Sequence, residues 1–91
     1  MANHFKGLRA ILAQNVRALR RELEWSQEKL AEGAELDRTY ISEIERAIGN
    51  PSLETIARIA SALQVPAGEL LARRGPGPSK RPTFPFRRSK P

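Results

Sequence analysis

Arg38, Thr39, Ser42 and Glu43 place four hydrogen-bonding side chains on the outer face of one short predicted helix. Their chemistry matches the edges of nucleobases. An arginine bonds bidentately to guanine, a serine or threonine hydroxyl serves either a donor or an acceptor, and a threonine methyl meets thymine. A glutamate accepts from the amino group of cytosine or repels wrong bases. The plain alternative for Ser42 and Glu43 is a solvated helix face. Tyr40 has two readings, a ring packed at the core edge or a hydroxyl on a phosphate. Arg17 and Arg46 carry the charge for phosphate contacts, and Asn50 with nearby backbone N–H groups can bond the same oxygens.

The stretch that positions these side chains is residues 26–46, SQEKLAEGAELDRTYISEIER. Ser26 is a good N-cap, because its hydroxyl can accept from an orphan backbone N–H of a following helix. Trp25 and Leu30 flank it as a hydrophobic staple, and Lys29 stands where a full capping box has Glu or Gln. Leu30, Ala31 and Ala34 form an apolar stripe at helical spacing. Gly33 and Ala34 are small enough for two helices to approach closely. Asp37 is the second N-cap, with Leu36 and Ile41 as its staple. Leu36, Ile41 and Ile44 then face inward. Two short capped helices joined by about three residues have the arithmetic of a helix-turn-helix, whose second helix, here 38–46, lies in a DNA major groove.

Around this motif the periodicity predicts three more helices. Leu8, Ile11, Leu12, Val16, Leu19 and Leu23 make one face of a first helix that starts near Asn3 and ends near Glu24. Residues 47–51 are a loop in which Gly49 permits positive φ and Pro51 disfavours helix at Asn50. Ser52 caps a fourth helix with Glu54 in its first turn, where the helix dipole favours negative charge. Leu53, Ile56, Ala57, Ala60 and Leu63 are its buried stripe. Pro66 or Ala67 opens a short fifth helix running to Arg73. Strand signals are nearly absent. The expected fold is therefore all-α, a compact five-helix domain over residues 1–74.

Residues 75–91 read differently. They hold five of the seven prolines and show no helical or strand pattern. Such a segment is expected to stay disordered and extended. The net charge of +6 belongs to this end. From Arg73 onward there are seven basic residues and no acidic one, whereas residues 1–72 hold nine basic and ten acidic residues. The tail is a solubilising segment, or an arm along DNA phosphates, or an anchor to a partner protein through Phe84 and Phe86.

Other function classes find little support. The chain has no cysteine, one histidine at position 4, no Gly-rich phosphate loop and no carboxylate cluster beyond those of surface helices. An enzyme, a metal site and a cofactor are therefore not expected. No apolar run approaches a membrane span, and the N-terminus is too polar for a signal peptide, so a cytoplasmic, nucleoid-associated protein is the default. Five short helices bury a small core. A homodimer would extend it, and Val65, Leu70 and Leu71 are candidates for that interface.

From Val16 to Leu71 the chain resembles the lambda-repressor-like, Cro/C1-type (XRE) family of helix-turn-helix regulators. The matching runs are NVRALRREL, SQEKLAEGAEL, DRTYISEIER, NPSLETIARIASALQV and GELL. The segment DRTYIS…IER also resembles the family's controller-protein branch from restriction-modification operons. The resemblance implies a transcriptional regulator on double-stranded DNA, with a pseudo-palindromic operator bound by a homodimer. It implies that Gln27, which opens the second helix, touches a phosphate and braces the recognition helix. It also implies a buried ion pair between Arg20 and Glu45. The sequence departs from the family in the loop after the third helix. There the usual Gly and basic residues are replaced by Ala47-Ile48-Gly49-Asn50. Two alternatives stay open: an antitoxin-like or other protein-interaction module, and a non-specific DNA binder acting through the tail.

Overall fold

The computed structural model describes residues 4–73. The tail 75–91, the boundary at 74 and the cap at Asn3 lie outside the described residues. Five helices follow in order: α1 His4–Glu22, α2 Gln27–Ala34, α3 Arg38–Glu45, α4 Leu53–Leu63 and α5 Ala67–Leu70. No strand occurs among the described residues. The all-helical expectation holds.

The starts of the helices follow local chemistry. The Ser26 hydroxyl accepts from the Lys29 backbone N–H at 2.9 Å, and the Ser52 hydroxyl accepts from the Thr55 N–H at 3.1 Å. Lys29 has a use of its own: its ammonium lies 5.8 Å from the centre of the Trp25 ring, a cation–π distance. Asp37 occupies the N-cap of α3, but its side chain makes no cap hydrogen bond.

Four of the five helix ends follow one rule that glycine does not supply. Glu24, Glu35, Ala47 and Gln64 all adopt left-handed φ near +60°. The next residue's N–H then reaches back five positions: Trp25 to Arg20, Leu36 to Ala31, Ile48 to Glu43 and Val65 to Ala60, at 2.9–3.1 Å. These bonds satisfy carbonyls that a helix end leaves open. Trp25, Leu36 and Val65 also fold their side chains onto the core. Gly49 takes φ +87° in the loop, as its position implies.

The core joins Leu12, Val16, Leu19, Leu30, Ile41, Ile44, Ile59, Leu63 and Leu70. Gly33 faces α4: a Cβ on it would meet the Ala62 Cβ at 3.4 Å, about van der Waals contact. Several expected positions are corrected. Leu8 and Leu23 are exposed at the two ends of the α1 face, while Ala13 and Asn15 lie inside. In α4 the buried stripe is Thr55, Ile56, Ile59, Ala60 and Leu63. Leu53 is 81% exposed, because as the first helical residue it lies beyond the core's edge. Ala57 is exposed as well. α5 ends at Leu70 rather than Arg73, and the Asn15 amide donates to the carbonyls of Leu70 and Ala72 at 2.8 Å and of Glu69 at 3.3 Å around this end. Leu70 itself is 0% exposed. It closes the monomer core and offers no surface to a partner, unlike the half-buried Val65 and Leu71.

Candidate nucleic-acid interface

The interface is built from the bottom of α3 outward. Ile41 and Ile44 are buried and fix which face of α3 is turned away from the core. Arg38 and Thr39 are left exposed in its first turn, and Ser42 and Glu43 half-exposed in its second. Tyr40 packs against the core with its ring. Arg46 is the C-cap of α3 and is exposed. Helix 38–46 is thus one residue shorter than expected, with Arg46 as its boundary.

Both ends of α3 are held by one polar chain. The Arg20 Nε donates to the Glu45 Oε2 at 2.6 Å and its Nη2 to Oε1 at 2.9 Å. The two side chains are 12% and 3% exposed, so the pair is largely dry. The bonded carboxylate raises the Arg20 pKa above its usual value, against the opposing effect of burial. The Arg20 Nη1 also donates to the Trp25 carbonyl at 2.8 Å, which fixes the α1–α2 turn. The Gln27 Nε2 donates to Glu45 Oε1 at 3.1 Å. The Gln27 Oε1 accepts from the Arg38 Nη1 at 3.4 Å. Gln27 therefore links the last turn of the recognition helix to its first exposed side chain.

Arg17 also has a partner within the chain. Its Nη1 donates to the Glu45 carbonyl at 3.2 Å, a cation at a helix C-terminus. Arg17 and Arg46 share a groove of about 350 Å³ with Gln14 and Ala47. Gln14 was not singled out by sequence reasoning. The signal was its place one helical turn before Arg17 on α1. Asn50 is exposed in the loop. Asn15 was also missed, because its three acceptors lie 54–57 positions further along the chain.

A family model described as helix-turn-helix matches residues 16–70, which spans the ion pair, both motif helices and Leu70. The chain belongs to the Cro/C1-type (XRE) helix-turn-helix family. Its XRE-family relatives include the "Neisseria hypothetical transcription factor" of Neisseria meningitidis, 50% identical over 64 residues, covering 70% of this chain and 60% of the relative. Control protein C.SmaI of Serratia marcescens is 44% identical over 71 residues, covering 78% of this chain and 84% of the relative. The crystal structure of the restriction-modification controller protein C.AhdI from Aeromonas hydrophila has a TM-score of 0.66 at 39% identity, covering 68% of this chain and 94% of that one. The chain thus spans three fifths of the Neisseria relative's length. As an XRE-family member it is a DNA-binding helix-turn-helix regulator. No helix among the described residues is long and apolar enough to cross a membrane.

Proposed function

We propose that the chain is an operator-reading regulator of the controller-protein kind, binding a pseudo-palindromic site as a homodimer. α3 enters the major groove. Arg38 and Thr39 read base edges first, with Ser42 and Glu43 one turn on. Arg46, Arg17, Asn50, Gln27 and the Tyr40 hydroxyl meet phosphates on either side. Arg17 keeps free N–H groups for this beyond the one given to Glu45, since guanidinium carries five donors.

The observation that carries this reading is the exposed Arg38 tethered through Gln27 to the buried Arg20–Glu45 pair. A solvated helix-start residue needs no such mooring. A base-reading arginine gains from it, because a side chain already held loses less freedom on binding. The homodimer is supported by the half-buried Val65 and Leu71 and by Leu53 and Ile48, which are 81% and 47% exposed.

The test is selection of bound duplexes from a random pool at near-physiological salt. The expected result is a two-fold-related motif with half-sites about 10 bp apart, centre to centre. Salt-sensitive binding with no enriched motif would transfer the function to the tail. A folded protein with no DNA binding would leave the protein-interaction reading in its place.

A further inference from the structure

Beside the recognition helix lies an open groove of about 720 Å³. Leu36 and Tyr40 give it an apolar floor, since both pack against the core from this side. Its rim carries the carboxylates of Glu32, Glu35, Asp37 and Glu43, and no Lys or Arg lines it. Among the described residues the nearest cation to any of the four is Arg58, 3.9 Å from Glu35, with side chains 43% and 82% exposed.

The segment with the opposite chemistry belongs to the same chain. Residues 80–88 read KRPTFPFRR, four cations around Phe84 and Phe86. The last described residue is Arg73, eleven positions before Phe84. In a polyproline-like conformation that length reaches about 34 Å. α1, the longest helix, spans about 28 Å. The reach of the linking residues thus exceeds the length of the longest described helix.

We propose that residues 80–88 dock in this groove of their own chain. Phe84 and Phe86 cover Leu36 and Tyr40, and Lys80, Arg81, Arg87 and Arg88 lie among the four carboxylates. Two features lower the cost. The link is covalent, so the segment meets the groove at millimolar effective concentration. Pro82 and Pro85 already restrict the chain, so less conformational freedom is lost. The docked segment covers Thr39, which lines the groove, and Glu43 on its rim. It withholds the recognition helix from non-specific DNA, while a matched operator displaces it. That consequence rests on the DNA reading; the docking does not.

The absence of cysteine makes a direct test simple. A nitroxide is attached at Ser89→Cys in the full chain, and amide NMR intensities are read in the free protein. Docking is expected to broaden Leu36, Tyr40 and Glu43 strongly, while Gln14 and Arg21 on α1 keep their intensity. Phe84→Ser with Phe86→Ser, both outside the described residues, is expected to remove the broadening. So is salt of about 0.5 M, where the Debye length falls to a few ångströms. Uniform broadening would overturn the proposal. So would broadening that survives the double Phe substitution, because that contact would be charge attraction without a seat. A mixture of isotope-labelled protein lacking nitroxide and unlabelled protein carrying it should show none. Broadening there would assign the segment to a second copy and overturn the contact within one chain.

Discussion

Arg20 ties three elements with one guanidinium: the end of α1, the turn before α2 and the last turn of α3. Removing it leaves the Glu45 carboxylate, 3% exposed, with Gln27 as its remaining side-chain partner. Breaking a buried pair from one side costs about 3–5 kcal/mol. Small domains hold only about 5–15 kcal/mol in all. Arg20→Ala is therefore expected to unfold at much lower urea, and Arg20→Lys to recover only part of the loss, because it lacks the fork. An unchanged melting temperature for the alanine variant would show the pair to be ornamental. Arg38 makes the contrasting case. It is exposed, and its bond to Gln27 is long, so Arg38→Ala should leave stability within about 0.5 kcal/mol. Its effect belongs to recognition: about 1–3 kcal/mol of discrimination lost at one base position of each half-site. Competition binding with single-position operator variants reads this directly. Equal loss on every sequence would instead make Arg38 a phosphate contact. The residue types at both positions were legible in the sequence, but the partners were not. Arg20 and Glu45 are 25 positions apart, and only the family resemblance joined them.

At the scale of elements, what the sequence made legible was the period, and what it hid was the edges. Leu30, Ala31 and Ala34 in α2, and Ile41 and Ile44 in α3, are the buried residues their spacing implies. In α4 the same logic chose Leu53 and passed over Ile59. Helical spacing fixes a stripe, but how far the core extends along it depends on the neighbouring helices. The helix ends were hidden for a different reason. The left-handed residues are Glu24, Glu35, Ala47 and Gln64, types that carry no stop signal by themselves. Ala47 lacks any polar side chain to favour that conformation. Left-handed backbone costs an L-residue about 1–2 kcal/mol, and glycine gives back about 0.5–1 kcal/mol of that in lost chain entropy. Ala47→Gly is thus expected to raise stability by about 0.5–1 kcal/mol, seen as a higher urea midpoint at unchanged slope. A lower midpoint would mean that the alanine methyl packs in the groove it shares with Arg17. Leu53 belongs to the same scale. Its exposure has no purpose in the monomer, and burying such a side chain is worth about 1.5–3 kcal/mol. Leu53→Ser should leave monomer stability nearly unchanged and weaken self-association about tenfold or more in sedimentation equilibrium. Undiminished association would place the dimer contact at Val65 and Leu71.

For the whole molecule the governing fact is where the charge lies along the chain. Residues 1–72 hold nine basic and ten acidic residues, so this part of the chain brings little long-range attraction of its own. Removing residues 75–91 takes away five basic residues per chain. Were all five free in solution and all five on phosphates in the complex, the slope of log affinity against log salt would flatten by about 4.5 per chain. Docking in the acidic groove lowers that number. Charges leaving carboxylates for phosphates exchange one anion for another, and the vacated groove takes up cations from solution. The expected change is therefore a definite flattening that falls short of 4.5, with the selected motif unchanged, since the proposed reading has base edges met by α3 and not by the tail. Fluorescence anisotropy titrations of the two chain lengths across a salt series measure it. A flattening by the full amount would mean that the segment is undocked in the free protein. An unchanged slope would mean that it never reaches DNA. A lost motif would move sequence reading out of α3 and into the tail.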